Sequence, residues 1–308
     1  VAIGHGAMAA QTTASNNTAV GGNALDACVD GGYNVAIGQN ALGTNVSGQD
    51  NTAVGKGALA VSLGDANVAV GHRALEDQTT ATQNTALGQR AGYQITTGEH
   101  NSVHGWNAGG SIQTASDCTH VGNRAGDGHN NSYNTSVGAD SLSGGASQYN
   151  TAMGYKAGEG ISGEANTAIG ANALLVHTAN YSTAVGYNAL LASTGGNNDA
   201  FGTSALKTVT TGTGNAAFGR QALRLATGDH NCAFGHESCN AVSTGTTNTA
   251  MGYQSLHDCT TGSGNTAIGR VSLQLVTTGN NNTAVGNATA TNISGGSGNT
   301  CLGVSAGD

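Results

Sequence analysis

The sequence predicts an all-β protein folded as a parallel β-solenoid, of the β-roll or β-helix kind, in about 18 coils. A nine-residue motif, NTAVGGNAL at residues 17–25, recurs in 19 related copies at a spacing of 16 or 17 residues. Each copy alternates in the manner of a short strand, and Gly is abundant whereas Pro is absent. A short, strict period indicates one supersecondary unit that stacks on its neighbours.

The glycine of the motif marks every copy, and no gap interrupts the series. We therefore expect a single repeat array over residues 1–308, without separate domains. The array begins and ends inside a repeat, so we expect the chain to be a segment of a longer polypeptide. The motif glycines are Gly4, Gly21, Gly38, Gly55, Gly71, Gly88, Gly105, Gly122, Gly138, Gly154, Gly170, Gly186, Gly202, Gly219, Gly235, Gly252, Gly269, Gly286 and Gly303.

The residues before each motif glycine predict the first strand of the coil. Thr or Val, then Ala, then an aliphatic residue stand there, as at 18–20, and a period of two puts the first and third side chains on one face. We expect the aliphatic third residue to be buried. The glycine ends the strand, where the backbone needs a positive φ or a close approach to another segment.

The second half of the coil predicts a turn, a buried Ala-Leu pair and a second short strand. Two variable residues follow the glycine, then Ala in most copies and usually Leu, as at 24–25. Segments rich in β-branched residues come next, such as KTVTTG at 207–212 and QLVTTG at 274–279. With 16–17 residues in each coil, neighbouring coils are expected to hydrogen-bond at roughly 4.8 Å.

Asparagine stands four residues before the motif glycine in 16 of 18 copies. So regular a column favours a structural role, either as an amide ladder along the solenoid or as a turn cap, over a sugar or metal site. The residues that we expect to hold the repeat together are represented by Asn17, Gly21, Asn51, Gly55, Asn166, Gly170, Asn248 and Gly252.

The predicted core is thin, because aromatic residues make up 4% of the chain and Ala is its main apolar residue. Burial of so little apolar area barely offsets the entropy of chain ordering. The Ala columns would also let a second surface approach closely. We therefore expect solenoids that are intertwined or packed as a parallel homotrimer, and a filament of the chain with itself remains an alternative.

Composition excludes several partners. The net charge is −8 with nine Lys and Arg in total, which is unsuited to nucleic acid. No apolar run approaches the length of a membrane span, so no membrane insertion is expected. No cofactor motif occurs in the repeat.

The motif resembles two groups of repeats. NVAIGQNAL at 34–42 and NVAVGHRAL at 67–75 are similar to the head repeat of trimeric autotransporter adhesins, which is a left-handed β-roll. The longer form, with a TTG turn, resembles repeats of phage tail fibres and algal-virus surface glycoproteins. The resemblance implies a trimer at a virion surface or outside the cell, a structural shaft that projects a host-binding tip, and a host glycan or receptor as partner.

Residues 92–138 depart most from the pattern. Gly92, Gly109 and Gly126 replace the usual Leu, and His104 and His120 enter the strands. Imidazole is a common metal ligand, so these two histidines are a candidate metal site. The simpler interpretation is a local change in the cross-section of the solenoid.

Two modifications are open from the sequence. The six cysteines show no metal-binding spacing, and Cys232 and Cys239 share one repeat and could form a disulfide, although small buried thiols are the simpler reading. Eight Asn-x-Ser/Thr sequons permit glycosylation in an extracellular protein. They are Asn16, Asn45, Asn130, Asn134, Asn180, Asn281, Asn287 and Asn292.

We expect no enzyme. An acyltransferase would carry three hexapeptide motifs in each coil, and a solenoid enzyme acting on polysaccharide needs clustered carboxylates, whereas the 17 acidic residues here are scattered. The Thr column is similar to the rows of ice-binding solenoids, but its neighbour is expected to be buried. Exposed turn residues such as Tyr155, Tyr187 and Tyr253 could add weak glycan contacts.

Overall fold

The computed structural model describes all residues from 1 to 308 and contains no helix. It divides into two compact units, Val1–Ala152 and Met153–Asp308, which are described separately. Each unit is a parallel β-solenoid, and the two together contain about 18 coils. The prediction of a parallel β-solenoid with about 18 coils is confirmed.

In the first unit, each coil contributes one short strand before its motif glycine. The strands are β1 (Ala2–Ile3), β2 (Thr18–Val20), β3 (Val35–Ile37), β4 (Thr52–Val54), β5 (Val68–Val70), β6 (Thr85–Leu87), β7 (Ser102–His104), β8 (Thr119–Val121) and β9 (Thr135–Val137). Strand β10 (Thr151–Met153) contains the boundary between the units.

The second unit repeats this ladder and adds three strands from the second half of the coil. The ladder strands are β12 (Thr167–Ile169), β14 (Thr183–Val185), β16 (Asp199–Phe201), β17 (Ala216–Phe218), β18 (Cys232–Phe234), β19 (Thr249–Met251), β20 (Thr266–Ile268), β21 (Thr283–Val285) and β22 (Thr300–Leu302). The additional strands are β11 (Gly160–Ile161), β13 (Val176–His177) and β15 (Ala192–Ser193).

All strand pairs are parallel and keep the motif in register. Ala19 pairs with Ala36 in the first unit, and Ala250 pairs with Ala267 in the second. Each motif position therefore forms a column that runs from coil to coil.

The second strand forms in three coils only, so the expectation of two strands in every coil is wrong. In the other coils this segment still hydrogen-bonds to the next coil, as the Thr44 N–H does to the Ala60 carbonyl at 3.0 Å. The Thr44 hydroxyl donates to the same carbonyl, also at 3.0 Å. The Ala60 carbonyl thus accepts two hydrogen bonds from one residue of the preceding coil.

Close contact between coils explains the motif glycine. Gly38 has φ +133°, and a Cβ atom there would lie 2.6 Å from the carbonyl of Gly55 in the next coil. No other residue combines this backbone angle with so small a volume.

The interior is lined by the middle strand residue and by the Ala-Leu pair. Ala19, Ala24 and Leu25 are all fully buried, and their counterparts fill the same columns in both units. Leu25 has φ 53°, a left-handed backbone that costs about 1 kcal/mol or more for a residue with a Cβ atom. Burial of the leucine side chain offsets that cost.

The aliphatic third residue of the strand faces outward, and the expectation that it is buried is wrong. Ile37 is 40% exposed, whereas its neighbour Ala36 is fully buried. The Ala columns are already enclosed by their own chain and are not available to a second copy. The interior has room for the small Ala side chain of the second strand residue, and the larger side chain of the third residue lies outside.

Candidate functional surfaces

The asparagine column forms a hydrogen-bonded ladder inside each unit. The Asn51 N–H donates to Asn34 Oδ1 at 3.0 Å, and the Asn67 N–H donates to Asn51 Oδ1 at 2.9 Å. Each Nδ2 also donates to a turn carbonyl, as Asn51 does to Gly64 O at 2.9 Å. One Asn side chain thus hydrogen-bonds two backbone groups of the next coil: the N–H at the start of its strand and a carbonyl in the turn before that strand.

The same ladder holds the second unit, where Asn248 and Asn265 are fully buried. The Asn265 N–H donates to Asn248 Oδ1 at 3.0 Å, and Asn265 Nδ2 donates to Gly279 O at 2.8 Å. A buried amide with all of its bonds made is a structural element and leaves no atom for a ligand. Asn17 and Asn166 occupy the same column, each with its Nδ2 on a turn carbonyl.

The outward face of the ladder, defined as the first and third residues of each strand, continues from coil to coil in each unit. Its third column is aliphatic or aromatic in nearly every coil, and its first column is mostly Thr. Neither column contains Lys or Arg, and Asp199 is the one carboxylate. In the first unit these two columns contain no Lys, Arg, Asp or Glu, in the second unit Asp199 is the one such residue, and in both units the face is partly apolar.

Three phenylalanines form a stack on the outward face of the second unit. The rings of Phe201 and Phe218 are 4.6 Å apart and nearly parallel, and those of Phe218 and Phe234 are 4.4 Å apart. Phe234 remains exposed. Exposed aromatic rows of this kind are typical of interaction surfaces.

The structure separates the two histidines that the sequence pairs as metal ligands. In the pairing of β7 with β8, Val103 faces His120 and His104 faces Val121. His104 therefore points outward and His120 points inward, so one ion cannot be held by both. No group of three or more His, Cys, Asp or Glu side chains is placed to hold a metal.

The buried partner of His120 is His129, which the sequence pattern did not single out. The two rings are 5.0 Å apart in an edge-to-face arrangement, and His120 Nδ1 lies 2.7 Å from the Ser136 hydroxyl. His120 Nε2 has no hydrogen-bond partner. Burial lowers the pKa of His120 well below its usual range and lowers the pKa of His129 to about 4. Both imidazoles are neutral at pH 7.

The replacement of Leu by Gly makes room for these histidines. A Cβ atom on Gly126 would lie 2.3 Å from His120 Nδ1, and one on Gly109 would lie 2.9 Å from Val103 Cγ1. The change of cross-section over residues 92–138 is therefore a packing solution.

The cysteines and the glycosylation sequons differ in burial, which decides which of them are accessible to modification. All six cysteines are free; Cys232 lies in the outward first column, whereas Cys239 occupies the buried Leu column. Asn45 and Asn134 are fully buried, and their Nδ2 atoms donate to Gly48 O at 3.2 Å and to Asn131 O at 2.8 Å. In the folded chain these two sequons are closed to glycosylation. The other six remain accessible to different degrees; they are Asn16, Asn130, Asn180, Asn281, Asn287 and Asn292.

The turn residues after the motif glycine are exposed, as expected. Tyr155 and Tyr187 are each 54% exposed, and the ring of Tyr253 stacks on His236 at 5.6 Å. Both this row and the outward face follow from the repeat. The aliphatic column of the outward face is visible in the sequence, but alternation alone does not show whether that column lies inside or outside the solenoid.

Comparison with known proteins does not assign the chain to a family. No family model matches the chain, and no curated protein matches it. No helix in the structure has both the length and the apolar character that crossing a membrane requires.

Proposed function

We propose that this chain is a non-enzymatic structural shaft of a fibre, from a virus or phage tail fibre or a cell-surface adhesin, located outside the cell or on the virion surface. Its shaft associates with two further copies of itself and projects a host-binding tip. The observation that carries the proposal is the outward face of each unit, which is partly apolar and contains no Lys or Arg and only one carboxylate, Asp199.

The thin interior supports self-association. The core of a coil consists mainly of two Ala and one Leu, and the Val, Ile, Met and Phe side chains in the third position of the strand lie outside it. Their transfer out of water against identical columns of other chains would add about 25 cal/mol for each Å² of apolar area buried. Since the columns repeat with the coil, copies that are parallel match along their length.

The resemblance of NVAIGQNAL at 34–42 to adhesin head repeats supports three copies rather than two. Association through the strand face replaces the expected association through Ala columns, which the chain itself covers. An extended filament is the alternative assembly of the same face.

Sedimentation equilibrium with face variants tests the proposal. We expect the wild type to sediment at three times the 30.1 kDa of one chain. Val54→Asp and Ile268→Asp place a carboxylate in the outward third column and should shift the mass toward one chain. Gln221→Asp, a turn residue with φ 59°, is the matched control and should leave the mass unchanged. A wild type that remains at 30.1 kDa at all concentrations would contradict the proposal.

A second candidate, binding to ice crystals, is favoured by one observation. Thr18, Thr52 and Thr85 share an outward face with aliphatic residues that are half-buried or exposed, which removes the objection that the partner column is buried. In the second unit the Thr column is broken at Asp199, Ala216 and Cys232. A monomeric wild type with freezing hysteresis that Thr52→Lys abolishes would support this candidate over the shaft.

A further inference from the structure

A cavity of about 300 Å³ lies on the first unit among turn residues of three successive coils. These residues follow the motif glycine, whereas the outward face consists of residues that precede it. The polar groups that line the cavity belong to Asn40, Lys56, His72, Arg73 and Glu76.

A glycine opens this cavity in a column of larger residues. The second residue after the motif glycine is Asn40, Gly57, Arg73 and Arg90 in successive coils. All four have a left-handed backbone, with φ from 57° to 68°. A Cβ atom on Gly57 would lie 3.7 Å from Glu76 Oε1 and 3.8 Å from Arg73 Cγ, which is ordinary contact. The cavity thus includes the space that a side chain at residue 57 would occupy, and the backbone permits that side chain.

The guanidinium of Arg73 is held in place at the cavity. It forms an ion pair with Glu76, and its Nη2 donates to the Tyr93 hydroxyl at 2.7 Å. Its Cζ lies 4.7 Å from the centre of the Tyr93 ring, on which Arg90 also stacks, at 4.6 Å. A cation fixed by three contacts loses little freedom when a ligand arrives.

Lys56 supplies a second cation that has no partner. Its ammonium forms no ion pair or hydrogen bond in the structure, although the chain has 17 acidic residues and only nine Lys and Arg. The His72 ring lines the same cavity and is likewise without a partner. Two of the nine Lys and Arg side chains therefore lie at this one cavity, in a chain whose net charge is −8.

We propose that the cavity binds a carboxylated sugar residue of an acidic glycan. Lys56 and Arg73 would hold the carboxylate, because ammonium and guanidinium groups are its strongest hydrogen-bonding partners. The Asn40 amide would donate to or accept from sugar hydroxyls, and the Glu76 carboxylate would accept from them. A simple anion has no hydroxyl groups for Asn40 and Glu76 to contact and would leave much of this volume unfilled.

This proposal goes beyond the shaft function and does not depend on association, because one chain builds the whole cavity. The full chain is titrated with glucuronic acid at low ionic strength, with glucose as the neutral probe and sodium sulfate as the simple anion. We expect saturable binding of glucuronic acid that weakens with added salt, and no saturable binding of glucose.

Two variants locate the site. Gly57→Asn fills the cavity with the residue that the preceding coil carries at Asn40, and Lys56→Gln removes the free charge. Each should weaken glucuronic acid binding by about tenfold or more. Lys207→Gln, in the second unit, should not change it. Circular dichroism checks that the variants fold. If Gly57→Asn does not fold, the binding of glucuronic acid by Lys56→Gln alone tests the site.

Three results would overturn the proposal. One is the absence of saturable glucuronic acid binding by the wild type. Another is unchanged binding by both variants, which would place the ligand elsewhere. The last is sulfate binding as tight as that of glucuronic acid, which would mean a site for simple anions. None of these results bears on the native mass, so failure here is distinct from failure of the shaft proposal.

Discussion

Residues 88–138 of the first unit and residues 198–282 of the second carry the same repeat but fill its interior differently. In the second region Leu206, Leu223 and Leu273 occupy the column four residues after the motif glycine. In the first region that column is Gly throughout, at 92, 109 and 126. Both regions are fully formed, so the repeat specifies a total interior volume and not one residue.

The column seven residues after the motif glycine explains how the volume is kept. Beside Gly92 and Gly109 it contains Ile95 and Ile112, which are fully buried. Next to the three leucines of the second region the corresponding residues are all smaller than Ile; they are Val209, Ala226 and Val276. A small residue in one column goes with a large one in the other, as close packing requires.

The largest expected effect comes from breaking this exchange in the second unit. Leu223→Gly leaves a cavity and should lower the free energy of unfolding by about 2–5 kcal/mol. Adding Ala226→Ile recreates the arrangement seen at Gly92 and Ile95 and should recover most of the loss. Urea unfolding of both single variants and the double variant measures the coupling.

Strict additivity in that cycle would contradict the exchange of volume between the two columns. As a matched control, Ala226→Ile alone should destabilise the unit by about 1–3 kcal/mol, because the interior beside Leu223 is already full.

Acid should weaken the first region more than the second. His129 is neutral in the fold with its pKa lowered to about 4 by burial, whereas an unfolded histidine titrates near 6.5. Between these two values the unfolded chain binds the extra proton, so stability is lost as the pH falls through this window. The loss should reach roughly 3 kcal/mol for His129, and His120, whose pKa is also lowered, adds to it.

The measurement is urea unfolding at several pH values between 7 and 4, compared with His129→Ile. That variant carries the residue of the two preceding coils and should show a shallower pH dependence. An equal loss of stability in wild type and variant would show that other groups dominate the acid response.

The smallest effect concerns the asparagine ladder, which is interrupted in the first region. Cys118 lies in the asparagine column, and its N–H donates to Asn101 Oδ1 at 3.0 Å. Its thiol, however, has no amide oxygen to accept the N–H of Asn134 in the next coil. Cys118→Asn should add about 1 kcal/mol to the stability of the first unit, because it restores hydrogen bonds to Asn134 and to the turn. Thermal unfolding followed by circular dichroism measures it, and a loss of stability would indicate that the column there is too narrow.

Much of this architecture was predictable, because a strict period dictates parallel stacking in register. The buried Ala and Leu columns and the close approach at Gly38 follow from the same repeat. Alternation shows only that Thr18 and Val20 share a face; it does not choose between inside and outside. Hydrophobicity favours Val inside, but the narrow interior admits Ala.

The candidate sites were less predictable for a different reason. The stack of Phe201, Phe218 and Phe234 is visible in the sequence once the outward column is known. The cavity beside Gly57 depends on residues from three coils, and its signal is a glycine in a column where only Gly6 is another. The buried pair of His120 and His129 required the path of the second half of the coil.

Hydroxyl-radical footprinting of the native particle tests most directly that the outward face is where copies associate. In one chain Met153 and Met251 of that face are 44% and 49% exposed, and the turn residues Tyr155 and Tyr253 are 54% and 43% exposed. We predict that the tyrosines react while the two methionines are protected until the particle is dissociated. Rapid oxidation of Met153 and Met251 in the native particle would show that this face is open to solvent and would contradict the account.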